Sequence, residues 1–202
     1  MKFSRFISIF FHPINFPIIG TLLYFLFIPR FIFKVQEHTI LIVIIIGTYI
    51  FPLLLLFLMK QFKMIESYHM ETVEERKFPL IMFISIAFII ANWLFKATTV
   101  DLLALFYTGY GIGLILAYLL LFLNHKISLH AAAIGGLLGF TLFFSYTYQI
   151  NLMVFLGLFF ILGGVIGTAR IKLKAHTLKE VLLGFSLGVI TQFLAFGIYH
   201  II

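Results

Sequence analysis

The feature that most limits what this chain can become is a succession of apolar stretches, each about long enough to cross a lipid bilayer. A helix needs about 20 residues for that crossing, and in lipid the backbone must satisfy its own polar groups. The stretches run from about Phe16 to Phe33, Thr39 to Met59, Pro79 to Phe95, a fourth ending near Leu123, Ser128 to about Tyr146, a sixth ending at Thr168, and about Leu178 to Ile202. Soluble domains are about half apolar and a quarter charged; here 63% of residues are hydrophobic and 10% charged, over the whole length. The sequence therefore predicts an all-α fold: a polytopic transmembrane helical bundle with six to seven spanning helices. No repeat, linker or composition shift divides it, so residues 1–202 read as one domain.

Several function classes drop out. The chain has no cysteine, which excludes disulfides, thiolate metal sites and thiol catalysis. Its formal charge of +7 is carried in short segments between apolar spans, which points to the lipid bilayer and its anionic headgroups as partners and not to nucleic acid. Lys2 and Arg5 precede an apolar run as in a leader, but His12, Pro13 and Pro17 interrupt that run and no small-residue cleavage site follows; the segment reads as retained. Small residues recur at four-residue intervals at Ala131, Gly135 and Gly139 and again at Gly184 and Gly188. That spacing lets helix backbones approach closely in membranes, so the fifth and seventh spans are expected to touch. Gly109, Gly111 and Gly113 read as packing positions as well.

Counting crossings places the segments at 60–78, 124–128 and 169–178 on one membrane face with the N-terminus. Of the fourteen Lys and Arg residues, only Arg30, Lys34 and Lys96 fall on the other face. The positive-inside rule puts the basic face in the cytoplasm. The most informative basic segment is Ala169–Glu180, where Arg170, His176 and Glu180 lie close in sequence. Positions four apart share a helix face, so Glu180 can reach the imidazole of His176. An imidazole held by a carboxylate beside a guanidinium suits attack on a phosphoryl group. A second polar knot, Lys126-Ile127-Ser128-Leu129-His130, and a third, Glu74-Glu75-Arg76-Lys77-Phe78-Pro79, lie on the same face. The whole polar stretch 60–78 reads as a loop or interfacial helix, with Pro79 starting the third crossing. His12, His38, His69, His125 and His200 read as interfacial.

These motifs resemble the type 2 phosphatidic acid phosphatase superfamily, integral membrane lipid phosphatases, in a divergent bacterial branch. The family's SRxxxxxHxxxD motif is matched in spacing by Ala169, Arg170, His176 and Glu180; its PSGH motif by Ile127, Ser128, Leu129 and His130. Its KxxxxxxRP motif is met only by Pro79, with Phe78 where arginine belongs and Arg76 and Lys77 just before. The motif-bearing part covers about 74–188.

The resemblance implies a metal-independent, cofactor-free hydrolysis of a lipid phosphate or polyprenyl diphosphate at the membrane interface. It implies that His176 is the nucleophile and forms a phosphohistidine, and that Glu180 holds its ring. His130 would protonate the leaving oxygen and later activate water. Arg170, Lys126, Ser128 and Arg76 or Lys77 would bind the phosphoryl oxygens. It also implies a bacterial inner membrane, with the site on the periplasmic or outer face as in most family members, against the cytoplasmic face that the charge bias favours. Ala169 lacks the family's hydroxyl, so that contact must come from backbone or elsewhere. An alternative is a catalytically weak relative that binds anionic lipid or serves as a subunit of a membrane complex. Haem ligation by His130 and His176 is a third reading, which leaves Arg170 and Glu180 without a role.

Overall fold

The computed structural model describes residues 2–66, 73–97, 100–123 and 125–201, with side chains at all of these but 73, 74, 76, 200 and 201. His69 and the side chains of Arg76 and His200 thus lie outside the described residues. The helices are α1 (Lys2–Phe10), α2 (Phe16–Phe27), α3 (Lys34–Ile45), α4 (Phe51–Gln61), α5 (Val73–Phe95), α6 (Asp101–Phe122), α7 (Leu129–Tyr148), α8 (Met153–Lys172) and α9 (Leu178–Ile201). Seven helical segments are long and apolar enough to cross a membrane. The fold is an all-α polytopic bundle.

Two boundaries and the interior of one span differ from the sequence reading, each for a local reason. The first span begins at Lys2 and not Phe16, because His12, Pro13 and Pro17 bend the chain without stopping it. The His12 ring nitrogen Nδ1 accepts the Ile14 amide at 3.4 Å and caps a single 3-10 turn, Pro13–Asn15. Pro13 and Pro17 then occupy first-turn positions, where a missing N–H leaves nothing unsatisfied. The second span passes through a π-helical turn, Ile46–Ile50, between α3 and α4. Pro52 follows in the first turn of α4, and a widened turn is a common way to admit proline into a long helix. Pro79 lies inside α5 and does not start it; the preceding Glu-Glu-Arg-Lys run is made of good helix formers.

The bundle is organised around α7 and α9, the pair expected from the small-residue spacing. A Cβ on Gly184 would stand 2.5 Å from the Ser128 carbonyl oxygen, and one on Gly139 would stand 3.0 Å from that of Val189. Gly188 faces the Ala132 carbonyl and Gly135 that of Phe185 just as closely. Only hydrogen fits at these crossings, so the two backbones approach closely. On one side, α6 lies against α9, where Gly109 makes room for the Gln192 amide, which donates to the Phe106 carbonyl at 3.2 Å. Helix α5 packs outside α6, with Phe88 over Gly111. On the other side, α8 packs on α7 and carries α1 against it. Helix α2 is tied to α6 through the Pro17 carbonyl, which accepts from Thr21 at 2.8 Å and Tyr107 at 3.1 Å.

The ends of the helices fall into two sets, as counting crossings predicts. Ser8 of α1 touches both His130 at the start of α7 and Arg170 at the end of α8, while Lys77 of α5 lies 5.0 Å above the Phe122 ring at the end of α6. At the opposite end, Arg30 stands 5.6 Å from the Tyr148 ring and Phe95 stacks on Tyr199.

Candidate functional site

The core of the site is the α8–α9 connection. Helix α8 ends in a tight return at Lys174, which adopts the left-handed conformation with φ 55°. Lys174 and Ala175 donate their amides to the carbonyls of Ile171 and Arg170 at 2.9 and 3.1 Å, which satisfies carbonyls left open at a helix end. The return brings the chain back beside the last turn of α8, where Arg170 lies. Helix α9 then opens with a reciprocal cap. Thr177 Oγ1 accepts the Glu180 amide at 3.3 Å, and Glu180 Oε2 accepts the Thr177 amide at 3.1 Å. This is a capping box, Thr-x-x-Glu, and it holds the carboxylate one turn from His176. The same oxygen, Glu180 Oε2, accepts His176 Nδ1 at 2.9 Å. With its proton on Nδ1, the neutral ring of His176 carries its lone pair on Nε2.

Helix α7 enters beside this connection. Ser128 caps it, its Oγ accepting the Ala131 amide at 3.3 Å, and the Ser128 amide donates to the Glu180 carbonyl at 3.1 Å. Two residues on, His130 is buried, and its Nε2 lies 3.0 Å from the Ser8 carbonyl. A carbonyl can only accept, so Nε2 of His130 carries a proton. The two histidines therefore hold opposite nitrogens protonated. Arg170 Nη1 donates to Ser8 Oγ at 2.6 Å. His12 stands edge-on to His130, ring centroids 5.4 Å apart. The guanidinium of Arg170 is a permanent positive charge near His130, and the Lys126 ammonium is near Glu180.

Of the residues expected from the sequence, His130, Arg170, His176 and Glu180 gather at one end of the bundle. Lys126 lies exposed beside them. Ser128 is completely buried and is used as the α7 cap. The contact of Lys77 with Phe122 belongs to the α5–α6 end of this face. Two participants went unread in the sequence. Ser8 links Arg170 to His130, and His12, expected to be simply interfacial, lies against His130. A signal existed: Ser4 and Ser8 are four apart in a helix whose other residues are apolar apart from Lys2 and Arg5, and both serines are buried while Phe3, Phe6 and Phe10 are exposed. A helix that turns serines inward and phenylalanines outward is oriented by a polar partner in a lipid surround. Among the described residues, no group of three or more His, Asp or Glu side chains is placed to hold a metal ion.

Compared with protein-family models, with curated proteins and with solved structures, the chain matches none of them.

Proposed function

We propose that this chain is a lipid phosphate phosphohydrolase of the type 2 phosphatidic acid phosphatase kind, acting on a phosphate or diphosphate whose apolar tail stays in the bilayer. The observation that carries the reading is the 2.9 Å bond between His176 Nδ1 and Glu180 Oε2, in a connection whose return closes on the Arg170 carbonyl. An imidazole so held presents Nε2 to phosphorus, and the carboxylate supports the positive ring that forms on attack. Arg170 neutralises the non-bridging oxygens, assisted by Lys126. With Nε2–H kept on the Ser8 carbonyl, His130 acts as an imidazolium that gives its Nδ1 proton to the departing lipid oxygen, and the neutral ring then takes a proton on Nδ1 from the water that hydrolyses the phosphohistidine. The basic face would lie in the cytoplasm of a bacterial inner membrane, by its charge bias.

The test is phosphate release by purified protein in detergent, over a panel of phosphatidic acid, phosphatidylglycerophosphate, polyprenyl diphosphate and lipid A phosphate, with EDTA present. Release that persists with the chelator is the expected result. No release from any of them by folded protein would remove the hydrolase reading.

A second reading has an observation of its own: Glu180 is already used by the capping box, so it has a structural reason to be there. Glu180→Gln separates the two. Glutamine also serves at this position of a capping box, and its carbonyl oxygen can accept from both Thr177 and His176, but the charge is gone. Under the hydrolase reading kcat falls at least about tenfold with the melting temperature nearly unchanged. Unchanged kcat would leave Glu180 as a cap alone and favour a relative that only binds anionic lipid.

A further inference from the structure

We propose that the N-terminal helix is a working part of the anionic site, with Ser8 as the positioning residue that holds Arg170 and His130 in register. This rests on the phosphate reading of the site. Ser8 is buried, and it meets two helices, α7 and α8, at once. Its hydroxyl accepts from Arg170 Nη1 at 2.6 Å, and its carbonyl accepts from His130 Nε2 at 3.0 Å, with Oγ at 3.4 Å from the same nitrogen. One residue thus orients the guanidinium on α8 and the imidazole on α7. Because Oγ accepts from Arg170, the hydroxyl proton remains as a donor, a hydroxyl that position 169, an alanine, does not supply. The helix that brings Ser8 there is steered by lipid: Phe3, Phe6, Ile9 and Phe10 face outward, while Ser4 and Ser8 are buried. Arginine has long side-chain freedom, and fixing it before the anion arrives removes a cost from the transition state.

The experiment uses the full chain in detergent, as wild type, Ser8→Ala, Ser8→Thr, Arg170→Ala and the Ser8→Ala/Arg170→Ala double variant. Two quantities are read: kcat and KM for lipid phosphate release, and affinity for orthovanadate from its effect on thermal unfolding. Ser8→Ala is expected to lower kcat about tenfold or more, as for one hydrogen bond to a charged group, with KM little changed. Ser8→Thr, which restores a hydroxyl, is expected to recover most of it. Because the serine acts through the arginine, its loss should add little in the Arg170→Ala background. Unchanged or increased kcat in Ser8→Ala would overturn the proposal, as would an undiminished further loss in the double variant. If wild-type protein releases no phosphate, the hydrolase reading fails separately and vanadate decides: weaker binding by Ser8→Ala and Arg170→Ala upholds the role of Ser8. Equal binding by all variants, or none by the wild type, overturns it.

Discussion

His176→Ala is expected to lower phosphate release by about 10³-fold or more, the scale of losing a nucleophile, while leaving the protein folded. The separation is possible because of where His176 sits. It precedes the Thr177 cap, and the capping box is closed by Thr177 and Glu180 without it. Its contact with Glu180 is at the edge of the bundle and not in the α7–α9 seam, so the melting temperature should move little. A labelled phosphoryl group should be trapped on wild-type protein by rapid acid-free quenching and be missing from His176→Ala. Substantial turnover by this variant would end the covalent mechanism, and with it the role assigned to Glu180. His130→Ala should differ in kind: label should still arrive slowly and then persist, because the residue proposed to activate water is gone.

The second large effect is on stability. Gly188→Ala places a methyl group against the Ala132 carbonyl and within 2.7 Å of the Gly136 amide nitrogen. Neither is the flexible end of a side chain, so the helices must separate along the seam. The expected loss is about 2–3 kcal/mol, the cost of overpacking a close contact, measured by unfolding in mixed detergent. Gly157→Ala is the matched control. Gly157 is exposed on α8 with nothing within 4 Å of an added Cβ, so the change there should be neutral or stabilising by about 0.5–1 kcal/mol, since alanine is the better helix former. Activity should fall with stability in Gly188→Ala, because α7 delivers His130 and α9 begins at the Glu180 cap. Equal behaviour of the two variants would mean that the seam is not the close crossing described.

What the amino-acid sequence determined by itself is whatever depends on local spacing. The seven crossings follow from run lengths against bilayer thickness. The α7–α9 contact follows from small residues every four positions; the His176–Glu180 bond falls at the same interval, although His176 precedes the cap and the capping box, not a shared helix face, brings the carboxylate to it. Even the capping box was written there as Thr-x-x-Glu, although it was read only as a carboxylate for the histidine. Proline was read too strongly as a boundary: at Pro13 and Pro17 it sits where helices tolerate it, and at Pro79 the charged run ahead of it had already formed a turn. What only the tertiary structure decided is the company these groups keep. Ser8 meets His130 across 122 residues and Arg170 across 162, and no periodicity extends over such distances. The same holds for His12 beside His130, and for Lys77, which shares the basic face yet packs on Phe122. Ser128 stood in a motif position, but burial in the seam turned it into a helix cap. Lipid supplies the physical reason. It drives every span into a helix whatever its neighbours are, so the sequence fixes which segments cross; only backbone approach at the glycines and a few buried hydrogen bonds choose which crossings meet.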